Sequence, residues 1–347
     1  MSQMLISDQA GDESSTTGGC LNGRVTGASH GGISTFADLF CGIGGFHYAA
    51  EPFGINCVFA CDIDEDAARQ YEWNFGVRPA GDITEIASED IPDHDILFAG
   101  FPCQPFSIIG KRSGLLDSRG TLIYEIVRVL EAKQPRAFVL ENVKQLATIN
   151  EGRTMKAILS ALGEAGYECD WKVLNALDYG LPQKRERVIF VGFRDSSLEL
   201  FDWPDAENSR QALAEILETD PDPRHFVSNR IRTLRRMKHQ SEVIPSIWHE
   251  NKGGNISSHP FSCALRAGAS YNYLLVNGER RLTPREQLRL QGFPDEFEII
   301  GNDSQIRKQT GNAVPVPMVQ AVIKEVLDAA ISHSALIQSD IIFRVNI

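Results

Sequence analysis

From Ser34 to Val191, short apolar runs alternate with stretches whose apolar residues recur at helical spacing. Ser34-Thr-Phe-Ala-Asp-Leu-Phe40 predicts a first strand. The glycine turn Cys41-Gly-Ile-Gly-Gly45 and a helix from Phe46 follow, then a second strand, Cys57-Val-Phe-Ala-Cys61, and a helix over Glu65 to Tyr71. After the short unit Gly81-Asp-Ile-Thr84 comes a buried strand, Asp95-Ile-Leu-Phe-Ala99. Leu122, Ile123, Ile126, Val127 and Leu130 then mark one face of a helix that Pro135 closes. Ala137-Phe-Val-Leu140, a helix from Thr154 to Gly166, Trp171-Lys-Val-Leu174 and Val188-Ile-Phe-Val191 continue the alternation. Strand and helix in turn imply an α/β fold with a mainly parallel sheet covered on both faces.

The pattern breaks over residues 201–283, where glycine-rich loops, Gly253 to Ser258 and Leu265 to Ser270, lie among short apolar stretches. A second, β-rich domain is expected there, after a large domain over 33–200. Residues 284–347 are expected to form a hinge and return to the large domain through a helix from Pro317 to about Ala335. The tail through Ile341-Ile-Phe343 is expected to form a strand or an oligomer contact. Residues 1–32, rich in Gly, Ser, Thr and Asp without periodicity, are expected to be a disordered leader.

Composition narrows the function classes. No apolar run is long enough to cross a bilayer, and the first residues lack a basic segment followed by a hydrophobic one, which places the protein in the cytoplasm without a membrane partner. Seven cysteines without a Cys-x-x-Cys pair argue for reduced thiols and against a structural metal. The net charge of −12 excludes a uniformly basic surface but not a basic cleft. Arg224, Arg230, Arg232, Arg235, Arg236 and Lys238 concentrate positive charge in the second domain, as a DNA-facing surface requires.

Candidate chemistry gathers at the ends of the predicted strands. The glycine turn lets backbone approach a ligand at a helix start, and Asp62 stands about twenty residues further on, the separation at which nucleotide-binding folds hold ribose hydroxyls. Cys103 sits between Pro102 and Pro105 after a buried strand, a nucleophile on stiff backbone. Glu141 ends another buried strand, where a carboxylate is costly unless paired or used. Arg185 and Arg187, two apart on an extended chain, are expected to face one pocket with Glu186 directed away. The polar stretch from Ile109 to Gly120 carries Lys111 and Arg119 beside the nucleophile and suggests a mobile loop.

Together these residues resemble a bacterial-type DNA (cytosine-5) methyltransferase. The similar blocks are Asp38-Leu-Phe-Cys-Gly-Ile-Gly-Gly45, Gly100-Phe-Pro-Cys-Gln-Pro-Phe-Ser107, Glu141-Asn-Val143, Gln183-Lys-Arg-Glu-Arg187, Arg281-Leu-Thr-Pro-Arg-Glu286 with Gln291-Gly-Phe-Pro294, and Gln309-Thr-Gly-Asn-Ala-Val314. The resemblance implies a Rossmann-like S-adenosylmethionine-dependent domain with a smaller target-recognition domain. It implies a cofactor pocket of Phe40, Gly42, Gly44, Gly45, Asp62, Ile63, Asp82, Ile83, Pro102, Leu122 and Asn312. Ile63 departs from the aromatic residue common there, so adenine packing is expected to be aliphatic.

By the same resemblance Cys103 adds to C6 of a flipped-out cytosine, Glu141 contacts its amine and N3, and Arg185 and Arg187 orient the base. Gln104, Ser107, Lys111 and Arg119 become candidate contacts to double-stranded DNA. A monomer is expected, with a cognate restriction endonuclease acting on the same site without a stable complex. A tRNA cytosine-5 methyltransferase shares the blocks but usually has Pro-Pro-Cys where this chain has Phe101-Pro-Cys103. A nicotinamide dehydrogenase would explain the glycine turn alone.

Overall fold

A computed structural model describes residues 30–102, 122–207 and 209–345. Cys103, Gln104, Ser107, Lys111 and Arg119, with residues 1–29 of the expected leader, lie outside the described residues.

The large sheet is built from β1 (Thr35–Leu39), β2 (Asn56–Cys61), β3 (Ile96–Gly100), β4 (Ala137–Val143), β5 (Glu168–Asn175) and β7 (Glu186–Phe193); the two-residue β6 (Gln183–Lys184) precedes the last of these. Its order is β2-β1-β3-β4-β7-β5. Neighbours from β2 to β4 run parallel, and β7 alone runs antiparallel to both β4 and β5. The chain leaves β1 to one side, forms β2, and crosses back to β3. The strand order therefore reverses between β1 and β3, and the crevice at their carboxyl ends is where open α/β sheets bind ligands.

Both faces of this sheet are covered, which explains why β3 and β4 read as continuous apolar runs rather than alternating ones. On one face Phe36, Phe98, Val139 and Ile189 pack with α1 (Gly45–Ala50) and the C-terminal helix. On the other, Leu97, Leu140 and Phe190 meet α3 (Leu122–Lys133) and α4 (Arg153–Glu164). Between them in sequence, α2 (Glu65–Phe75) starts where the Asp64 carboxylate accepts from the amides of Asp66 and Ala67, and ends at Gly76 with φ 68°.

His47 on α1 stacks on Phe75 and shares a 2.6 Å hydrogen bond with the Tyr71 hydroxyl, and its burial pushes the imidazole pKa down to about 4. An unfolded histidine takes its proton near pH 6.5. Between about 6.5 and 4 the unfolded state holds the proton and the native state does not, so stability is full above 6.5 and falls as pH drops toward 4. Urea melts are expected to lose about 2 kcal/mol between pH 7 and pH 5 from this group. A His47→Phe variant should show a correspondingly flatter pH dependence; an unchanged slope would rule the assignment out.

The second domain holds α5 (Leu213–Ile216), α6 (Asn229–Lys238), and a three-stranded antiparallel sheet of β8 (Ile247–Glu250), β9 (Ile256–His259) and β11 (Leu274–Val276); β10 (Ser262–Cys263) pairs instead with β6. Ile256 to Ser258, expected in a loop, belongs to β9, with the turn confined to Asn251 through Asn255. Then α7 (Pro284–Gln291) and α8 (Asp303–Asn312) lead into α9 (Val316–Val345). Leu290 of α7 belongs to the small core with Leu213, Ile247 and Leu274, whereas Leu288 belongs to the large one. One helix therefore serves both cores, where the sequence suggested a hinge beginning at 284.

Three further expectations are corrected. Residues 30–32, counted with the leader, pack on α9: Gly31 accepts a hydrogen bond from Ser334, and a Cβ at Gly31 would lie 2.4 Å from the Ala330 backbone. The tail, expected as a strand or an oligomer contact, is no strand but continues α9 to Val345, because nothing after Pro317 is Gly or Pro and no helix breaker intervenes. The basic cluster is largely neutralised. Arg235 pairs with Glu250 at 2.7 Å, Arg236 with Glu279, Lys238 with Glu250 at 3.8 Å, and Arg224 with Asp303 at 3.1 Å, leaving Arg230 and Arg232 without a carboxylate among the described residues.

Candidate active site

At the switch point the turn after β1 is built on positive φ: Phe40 at 55°, Gly42 at 56° and Gly44 at 86°. A non-glycine residue held there is strained, and such strain concentrates where ligands bind. The Asp62 carboxylate ties the two turns together, one oxygen accepting from the Gly42 amide at 2.7 Å and the other from the Asp64 amide at 2.7 Å. Burial raises its pKa against the pull of these amides. Around Gly42 no atom of the described residues beyond its chain neighbours lies within 4 Å of the position a Cβ would take, so among these residues that side of the turn is open. Ile63 beside it is 76% exposed, an apolar surface left facing outward at the mouth of the crevice.

Gly45 fixes the opposite wall. A Cβ there would stand 2.6 Å from Val314 Cγ2, so the glycine lets the segment after α8 approach, bringing exposed Asn312 toward the turn. Asp82 caps a short turn through the amide and hydroxyl of Thr84, and Ile83 behind it is buried. Leu122 opens α3 and is partly buried against the core, while Pro102 is exposed at the end of the β3 segment.

The second half of the site lies across β3, β4 and β7. Glu141 stands opposite Gly100 and Ile189 in the sheet register and is only 6% exposed. Arg187, diagonal to it on the same face of β7, places Nε 2.6 Å from Glu141 Oε1. This contact is a close ion pair rather than an aligned hydrogen bond, since that oxygen finds no donor with good geometry. Glu186 turns to Lys144 at 2.7 Å. Asn142 donates to the Phe101 carbonyl at 2.9 Å, holding the backbone two residues before Cys103.

Arg185 and Arg187 do not share a pocket. Arg185 is 1% exposed and donates to the carbonyls of Leu265 at 2.8 Å, Gly311 at 3.0 Å and Ala313 at 2.7 Å. It sits in the break between β6 and β7, where its own amide donates to Asn175 Oδ1 at 3.1 Å, so strand alternation does not carry across it. Burial and the charge of Arg187 lower its proton affinity, yet a guanidinium bound to three carbonyls stays cationic.

Sequence reasoning missed Asp38 as more than a strand residue. It is fully buried with neither carboxylate oxygen hydrogen-bonded, and burial together with Asp62 pushes its carboxyl pKa well up. The signal available was a charged residue inside an apolar run. Cys41, Cys57, Cys61, Cys169 and Cys263 are free thiols, and no group able to hold a metal occurs among the described residues. No helix among them is long and apolar enough to cross a membrane.

A glycine turn after β1, the Asp62 carboxylate bonded to it from the neighbouring β2, and the buried acid Glu141 on β4, two strands from β1, make up the site of an α/β enzyme that binds its ligands at the ends of its parallel strands. The chain belongs to the C-5 cytosine-specific DNA methylase family, whose model matches residues 34–328. It is 54% identical to the Type II methyltransferase M.NgoBI of Neisseria gonorrhoeae over 83% of this chain and 91% of that protein. It is 51% identical to the Type II methyltransferase M.HaeII of Haemophilus aegyptius over 84% and 92%. Among solved structures it is similar to a putative DNA modification methyltransferase encoded in an E. coli prophage, with TM-score 0.63 at 21% identity over 85% of this chain and 99% of that one. The Dnmt2 methyltransferase of S. pombe superposes with TM-score 0.64 at 21% identity over 85% and 98%. The protein is a DNA (cytosine-5) methyltransferase that uses S-adenosylmethionine. The open face of Gly42, the exposed apolar Ile63 and the positioned Asp62 carboxylate lie together at this crevice.

Proposed function

We propose that this chain methylates C5 of a cytosine flipped out of a specific duplex sequence, through a covalent bond from Cys103 to C6, as the modification enzyme of a Type II restriction-modification system. The observation that carries the proposal is the buried Glu141–Arg187 pair opposite Gly100, three residues before Cys103. A carboxyl group in that place can accept from the exocyclic amine and, when it carries a proton, donate to N3 of a base lying over the nucleophile.

Cytosine C5 is a weak nucleophile. Addition of the Cys103 thiolate at C6 pushes electron density onto the ring and C5, a proton given by Glu141 to N3 stabilises that charge as it develops, and Arg187 holds Glu141 in place. S-adenosylmethionine supplies the methyl group as an electrophilic carbon on sulfonium. Loss of the C5 proton to water and expulsion of the thiolate complete the balance. Extruding the base costs about a few kcal/mol of unstacking, which contacts from Gln104, Ser107, Lys111 and Arg119 would offset. Phe40, Asp62, Ile63, Asp82, Leu122 and Asn312 would hold the cofactor, and Arg185 would act as a positioning residue rather than touch the base. The enzyme would act as a monomer, with any endonuclease partner meeting the same site separately.

The test is covalent trapping. Random-sequence duplex carrying 5-fluorocytosine, incubated with the enzyme and S-adenosylmethionine, should give a denaturation-resistant adduct at Cys103, because fluorine does not leave as a proton does. Sequencing the trapped DNA would then give the recognition site. An adduct with substituted tRNA and none with duplex DNA would overturn the proposal.

A further inference from the structure

A crevice of about 220 Å³ between the second domain and α8 is lined by Arg224, His225, Tyr271, Arg281, Asp303 and Arg307, among others. Its charges are unevenly matched. Asp303 is engaged by Arg224 at 3.1 Å and lies 3.7 Å from His225. Arg281 and Arg307 have no carboxylate partner among the described residues. Arg281 Nη2 donates to the Arg224 carbonyl at 3.2 Å and Arg307 Nη1 to the Ala269 carbonyl at 2.7 Å, while the Nε of each is buried with no partner. Both guanidinium groups gather at one aromatic ring, Arg307 at 4.2 Å and Arg281 at 5.5 Å from the centre of Tyr271.

Two unneutralised cations at one ring repel each other, and the ring's π face relieves only part of that. In a chain of net charge −12, Arg224, Arg235, Arg236 and Arg280 of this region have acidic partners, whereas Arg281 and Arg307 meet at one ring without any among the described residues and make a local positive field. The planar fork of a guanidinium, of whose donors a carbonyl takes only one here, suits the paired oxygens of a phosphate. The crevice also sits close to the chemistry: from Arg307, one turn of α8 reaches Gly311, whose carbonyl Arg185 holds, and then Asn312.

We propose that Arg281 and Arg307, braced by Tyr271, form a phosphate-binding site that takes a backbone phosphate of the DNA duplex near the target base. The site rests on the DNA-methylating function above and adds a contact which the family blocks do not mark, since Arg307 lies outside all of them. A bound phosphate accepts from Nη–H groups of the two guanidinium ions that the Arg224 and Ala269 carbonyls leave free and neutralises the pair, fixing α8 and the Leu265 to Ser270 loop against the duplex.

The test compares full-length wild type, Arg281→Gln/Arg307→Gln, Arg307→Gln and Arg307→Lys for duplex binding across a range of salt. Removing a phosphate contact is expected to lower the slope of log affinity against log salt by about 1 and to weaken binding of every duplex sequence alike, whereas Arg307→Lys should retain the slope. Cofactor affinity and melting curves report folding. If the double variant misfolds, the single glutamine and lysine variants decide, and equal slopes for the two overturn the proposal. Inorganic phosphate titrated without DNA separates the sources: wild-type stabilisation by phosphate, lost in Arg307→Gln, with an unchanged DNA slope would assign the site to a free phosphate. Unchanged slopes and no phosphate effect would eliminate the site. Absence of any duplex binding by wild type would instead strike at the proposed function itself.

Discussion

Cys103→Ser is expected to reduce methyl transfer by about four orders of magnitude or more while duplex binding persists. The reaction needs an anionic nucleophile at C6, and a serine hydroxyl stays protonated where a cysteine supplies thiolate. The substitution is nearly isosteric, and what aligns this position lies before it: Phe101 is buried, its carbonyl is held by Asn142, and Gly100 faces Glu141 across the strands. None of these contacts involves the sulfur, so the base pocket should survive. The measurement is transfer of labelled methyl to duplex DNA alongside a gel-shift titration, with 5-fluorocytosine duplex as a third readout. The variant should bind and form no adduct. Retained transfer near the wild-type rate would remove Cys103 from the mechanism and leave Glu141 without a reaction to serve.

Much of this site was legible because each piece stands where an apolar run stops. Glycines after β1, Asp62 after β2, Pro102 after β3 and Glu141 late in β4 are polar or conformationally special residues placed at strand ends, and a parallel sheet brings those ends together. What the sequence misassigned depends on long-range pairing. The alternation that put Arg185 beside Arg187 assumes an unbroken strand, yet the chain breaks between Lys184 and Glu186. That Arg235 and Arg236 have acidic partners could not be read from their neighbourhood, because Glu250 and Glu279 lie well downstream in sequence. The second domain could not be closed at 283, since α7 contributes Leu290 to one core and Leu288 to the other. A run such as Ile341-Ile-Phe343 suits a strand by propensity alone, and continuity with α9 overrides it.

Arg185→Met is expected to lower stability by about 3 kcal/mol and raise KM for DNA more than it lowers kcat. Two opposing effects set the size. Three charge-assisted hydrogen bonds to buried carbonyls are lost, at about 1.5–3 kcal/mol each. Against this, the folded state no longer desolvates a fully buried cation, a saving of several kcal/mol. Hydrogen bonding wins, because methionine fills the space but leaves the Leu265, Gly311 and Ala313 oxygens with no replacement donor in a place water does not reach. Those carbonyls belong to the 265–270 loop and to the end of α8, so their release loosens the second domain against the large one. For a chain of 347 residues the melting temperature should fall by roughly 4 °C. Arg187→Met makes the contrast: it strips the partner from Glu141 at the strand ends and should cost kcat most. If Arg185→Met instead kept its melting temperature and lost kcat as Arg187→Met does, the guanidinium would act on the base itself, and the two arginines would work together as their spacing first suggested.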